Sequence, residues 1–122
     1  MKIQNFDVTL FLQEYWQKKP MVVRNAFSHV DWLEPEDLAG LSLEDDAESR
    51  IISQVKGVWD VAHGPFAESH FSTLSDTDWT LLVQAVDQWV PEVREILGAF
   101  NFLPSWRLDD VMVSYAPVGG TV

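Results

Sequence analysis

The chain contains no cysteine. That absence excludes disulfides, thiolate zinc sites and cysteine nucleophiles together, and it is compatible with a reducing cytoplasm, where we expect the protein to act. Long apolar runs are also missing. The opening Met1-Lys2-Ile3-Gln4-Asn5-Phe6-Asp7 has no apolar core of the secretory type, and no stretch approaches the ~18 apolar residues of a membrane span. Positive charge is scarce. Eight Lys and Arg stand against nineteen Asp and Glu, for a net charge of −11. Phosphate backbones are held by Lys and Arg that release counterions, so nucleic acid is not the expected partner. The charge is compatible with a basic protein partner, because opposite fields attract over a distance. The cluster Glu44-Asp45-Asp46-Ala47-Glu48 is too short for a disordered tail and reads as a solvated loop.

Aromatic residues are plentiful, with seven Phe, six Trp and two Tyr in 122 residues. Trp16, Trp32, Trp59, Trp79, Trp89 and Trp106 run from end to end, and the expectation for each is core anchoring, since such rings bury ~150–250 Å². The length allows one domain at most.

Local signals give an order of elements. Asp7 is placed to cap a helix over 8–18, which Pro20 stops. Met21-Val22-Val23-Arg24 reads as a short strand. Pro35 opens a helix to Gly40, with Glu36 and Asp37 in its first turn and Gly40 as its C-cap. Arg50–Val55 and Val58–His63 flank Lys56-Gly57, a two-residue hairpin turn. Ser75 with Asp78 forms a helix-start pattern. After it, Trp79, Leu82, Val83, Val86, Trp89, Val90, Val93, Ile96, Leu97 and Phe100 recur at steps of three and four. The spacing predicts helices over 76–89 and 91–99, divided at Pro91. Asp109–Ala116 alternates as a strand, with Val111, Val113 and Tyr115 on one face and Asp110, Met112 and Ser114 on the other; Gly119-Gly120 follows as a tight turn.

No complete active site emerges from the residues themselves. The histidines are His29, His63 and His70, and none begins a His-x-Asp or His-x-Glu motif of the kind used with a distant His to hold non-haem iron. Gly-x-Ser-x-Gly and Gly-x-x-x-x-Gly-Lys are absent, which removes a nucleophile elbow and a phosphate loop. Asp109 and Asp110 alternate to opposite faces of a strand and cannot act as a dyad.

Several segments, in order along nearly the whole chain, carry a resemblance. They are Phe11-Leu12-Gln13-Glu14-Tyr15-Trp16-Gln17-Lys18-Lys19-Pro20-Met21-Val22-Val23, Asp37-Leu38-Ala39-Gly40-Leu41, Val61-Ala62-His63-Gly64-Pro65-Phe66, Trp79-Thr80-Leu81-Leu82-Val83-Gln84-Ala85-Val86 and Leu103-Pro104-Ser105-Trp106-Arg107-Leu108-Asp109-Asp110-Val111-Met112-Val113-Ser114. Together they resemble the N-terminal part of the cupin-type, JmjC-related ribosomal oxygenases, in the branch that hydroxylates an arginine of a ribosomal protein. The resemblance implies an α+β chain. Residues 1–105 would be a helical and hairpin cap region, and 106–122 the first core strand and Gly-Gly turn of a double-stranded β-helix, with the barrel incomplete. It implies Fe(II) and 2-oxoglutarate as cofactors of the full-length protein and none bound here, because the metal ligands lie past the Gly-Gly turn. It implies a basic ribosomal-protein substrate, a full-length homodimer, no direct nucleic acid and no membrane. Asp110, Met112 and Ser114 would line the substrate channel, Asp110 facing the substrate arginine; no catalytic or metal residue carries over. The alternatives are a non-enzymatic acidic interaction module, or the same family acting on a histidine or asparagine of another protein.

Overall fold

The computed structural model describes residues 1–28 and 32–120. Four antiparallel strands form one sheet in the order β2-β1-β3-β4. β1 (Ser49–Val55) and β2 (Val58–His63) are the expected hairpin, in a register that sets Val55 opposite Val58 and Arg50 opposite His63. Lys56 and Gly57 both have positive φ, 51° and 79°. A type I′ turn demands this of both central residues, and its twist matches the flanking strands.

β3 (Trp79–Val83) inserts between β1 and the short β4 (Val113–Tyr115). The helix expected over 76–89 is therefore absent. Thr80, Leu81, Leu82 and Val83 are all buried, on both faces of the sheet. A strand covered on both sides loses its period-two alternation, and its apolar run then matches a helical stripe by accident. Ser75 and Asp78 do not start a helix either. The Ser75 hydroxyl donates to the Thr77 carbonyl and Asp78 adopts φ 65°, so the segment turns the chain into β3.

The helices are short. α1 (Val8–Leu10) is capped as expected, Asp7 Oδ1 accepting from Leu10 N at 3.0 Å, and it continues as a wider π-type turn over Phe11–Tyr15. Gln17 at φ 61° ends it before the expected Lys18. Met21–Arg24 forms no strand. The segment has no ladder partner among the described residues and Val22 is 77% exposed. α2 (Pro35–Leu41) begins at Pro35, with Asp37 Oδ2 accepting from Glu34 N at 3.0 Å. Gly40 lies inside it, not at its end; the cap is Ser42, which is fully buried and donates through Oγ to Ala39 O at 2.6 Å. α3 (Glu68–Ser72) and α4 (Pro91–Gly98) complete the set, and α4 starts at Pro91 as expected.

The core lies on one face of the sheet. Ile51, Leu81 and Val83 meet Leu38 of α2, Phe66, Val86 and Val93 of α4. Trp32 and Trp79 pack against this cluster. Trp59 and Trp106 do not serve as anchors; they are 53% and 77% exposed. A second apolar cluster ties the N-terminal segment to the loop after α4. The rings of Phe6, Phe11 and Phe102 stand 5.4–5.9 Å apart, at tilted or edge-to-face angles that aromatic quadrupoles favour. The acidic loop 44–48 is solvated as expected, with Ala47 alone turned inward.

Two glycines give opposite expectations. A Cβ on Gly40 would meet nothing within 4 Å, whereas one on Gly120 would stand 2.5 Å from the Trp79 carbonyl oxygen. Gly40→Ala removes a helix-interior glycine and is expected to raise stability by about 0.5–1 kcal/mol. Gly120→Ala is expected to lower it. Urea denaturation of the two variants, read side by side, checks both signs.

Candidate functional site

The segment 109–120 carries the residues singled out for function. The expected strand over Asp109–Ala116 shortens to Val113–Tyr115 because Asp110 and Val111 bond elsewhere. β3 ends in a tight turn with Ala85 in the left-handed region, φ 52°. Asp110 Oδ2 accepts from an amide of that turn, Ala85 N at 2.8 Å, and from Gln84 Nε2 at 3.1 Å. Val111 O accepts from Val86 N at 2.9 Å, and Val111 N donates to Asp87 Oδ1 at 2.9 Å. Arg94 Nε in turn donates to Asp87 O at 3.0 Å. Two carboxylates thus satisfy backbone amides that the ladder leaves unpaired, as buried polar groups require.

The alternation within the segment is as expected. Val111, Val113 and Tyr115 pack against the core, while Met112 and Ser114 are exposed on the other face of β4. Asp110 is half-buried and sits at the end of that face, before the strand begins. The structure therefore brings Met112 and Ser114 together and holds Asp110 against the 84–87 turn. Neither its partners Gln84 and Ala85 nor Asp87, which accepts from Val111 N, gave a local signal in the sequence, because the helical reading of 76–89 set them on a different element. The Gly-Gly turn is present. Gly120 N donates to Pro117 O at 2.8 Å, and Gly119 has φ 84°, which a type II turn requires at its third residue. β4 pairs with β3 alone, so one side of it is an open sheet edge among the described residues.

Among the described residues, His63 and His70 do not form a metal centre. His63 ends β2; His70 lies on α3 with its ring 5.0 Å from that of Phe66; His29 lies outside the described residues. Iron of the two-His-one-carboxylate kind needs three converging donors. Among the described residues no group of three or more His, Asp or Glu side chains could hold a metal. This donor set does not fit iron. No helix among the described residues is long and apolar enough to cross a membrane.

The four-stranded antiparallel sheet with its short helices superposes on part of known ribosomal oxygenases. Over nearly its whole length the chain is homologous to proteins of that kind. It is 42% identical over 113 residues to the ribosomal protein uL16 3-hydroxylase of Escherichia coli, covering 92% of this chain and 30% of that protein. It is 41% identical over 115 residues to a probable ribosomal oxygenase of Haemophilus influenzae, covering 93% and 28%. Among solved structures, the Escherichia coli ribosomal oxygenase YcfD superposes with a TM-score of 0.89 at 40% identity, over 100% of this chain and 34% of YcfD. YcfD in complex with cobalt and 2-oxoglutarate superposes equally well, at 0.89 and 39% identity. No family model matches the chain. The chain spans about a third of the length of these relatives.

Proposed function

We propose that the chain is the N-terminal part of an Fe(II)- and 2-oxoglutarate-dependent hydroxylase of a ribosomal protein, acting at an arginine. The observation that carries this reading is the match to YcfD along the entire chain, including YcfD bound to cobalt and 2-oxoglutarate. In this reading residues 1–105 are the cap region and 106–122 hold the first strand of a double-stranded β-helix. The open edge of β4 is where the barrel continues, since closure is how such folds remove exposed edges. Iron and 2-oxoglutarate are held by residues other than those described here. When bound, they supply the oxidising power for inserting oxygen into a C–H bond.

This chain's own contribution is to shape and position. Met112 and Ser114 face the substrate channel, Met112 giving an apolar wall for an arginine stem. Asp110 spends Oδ2 on the 84–85 turn, which fixes the carboxylate and turns its other oxygen to a substrate guanidinium, for which a carboxylate is the natural partner. The negative net charge suits a basic ribosomal protein. The enzyme works in the cytoplasm as a homodimer, without nucleic acid or membrane as direct partner.

Residues 1–122 alone are expected to show no turnover of 2-oxoglutarate with iron and a uL16 peptide. The full-length protein is expected to turn over 2-oxoglutarate and add one oxygen to the peptide. Coupled 2-oxoglutarate consumption and peptide mass spectrometry check both; turnover by residues 1–122 refutes this division of labour.

A further inference from the structure

Away from β4, a groove of about 520 Å³ runs between α2 and the start of α4. Trp32 and Trp89 both line it, and Glu36, Asp37 and Glu44 supply carboxylates along it. Trp32 leans on the core, which fixes it, while Trp89 is 39% exposed. Glu36, Asp37 and Glu44 are all exposed. Gly40 lies on the α2 wall, one helical turn after Glu36. Nothing in the fold demands glycine there: its φ is not positive, and an added Cβ would meet no atom within 4 Å. A helix-interior glycine costs about 1 kcal/mol relative to alanine. What Gly40 does provide is an unfilled groove wall.

We infer that this groove docks a basic segment of a protein partner, taking an Arg or Lys side chain against its indole lining with its charge met by Glu36 and Glu44. Indole is the strongest aromatic partner for a cation, and a planar guanidinium can stack on its face while donating to carboxylates beside it. A net charge of −11 brings such a segment in, and the groove gives it a place to seat. The identity of the partner as a basic ribosomal protein rests on the proposed function; the groove's chemistry does not.

The test titrates an arginine-rich peptide into the protein without iron or 2-oxoglutarate, following the indole N–H NMR signals of Trp32 and Trp89. Both signals are expected to move. Gly40→Gln, which fills the groove from a position where the helix tolerates a side chain, and Glu44→Lys are each expected to weaken binding about tenfold. Glu95→Lys, the same charge change on an exposed residue of α4 outside the groove, is expected to stay within about twofold. Unmoved Trp signals, unchanged affinity in Gly40→Gln, or equal weakening by Glu44→Lys and Glu95→Lys overturns the inference. Binding that behaves as expected in a full-length protein with no hydroxylase turnover would sink the proposed function and leave the groove standing. Turnover with an unmoved Trp89 signal would do the reverse.

Discussion

Leu81→Ala is expected to lower the unfolding free energy by about 2–5 kcal/mol, the range for truncating a fully buried leucine. Leu81 is 1% exposed and faces the core from the middle of β3, against Leu38 and Val93. Its backbone is paired on both sides, to Ile51 of β1 and Tyr115 of β4. Removing the isopropyl group leaves a cavity that two hydrogen-bonded neighbours prevent from collapsing. The result also separates two readings of the sequence. In a helix over 76–89, Leu81 falls off the apolar stripe and its truncation would be nearly silent. A urea midpoint that drops steeply at constant m-value supports the strand; a change of a few tenths of a kcal/mol contradicts it.

Asp110→Ala is expected to cost about 1.5–3 kcal/mol, since it strands the Ala85 amide and the Gln84 side chain in a half-buried turn. Asp110→Asn keeps an acceptor for Ala85 N and is expected to retain most of that stability. The pair divides the two roles of the carboxylate. If its second oxygen meets a substrate guanidinium, the Asp110→Asn variant keeps the fold but raises KM for the ribosomal substrate about tenfold, because a charge-assisted bond becomes a neutral one. An unchanged KM in a stable Asp110→Asn protein would confine Asp110 to holding the 84–87 turn.

Much of the frame was legible where the signal is local. Asp7, Pro35 and Pro91 mark helix starts that the structure bears out, and Lys56-Gly57 sets the hairpin register. These features depend on one or two residues and their own backbone geometry. The failures share a different cause. Trp79–Val83 became a strand because β1 and β4 flank it and both its faces are covered, a fact of tertiary context that no window of sequence contains. Met21–Arg24 has strand-like composition but no pairing strand among the described residues. Gly40 looked like a helix end because glycine often ends helices; here Ser42 does so and Gly40 lies within a wall. At the candidate site, the exposure of Met112 and Ser114 followed from simple alternation. The bonds from Asp110 and Asp87 across the 84–87 turn, 24 to 26 residues apart in sequence, did not.

The central claim, that this chain serves a ribosomal-protein hydroxylase, is tested most directly by the mass of uL16 purified from cells with and without the gene. The account predicts a uL16 heavier by one oxygen, placed on an arginine by fragmentation, that reverts to the unmodified mass when the gene is deleted. A uL16 of identical mass in both strains would contradict it.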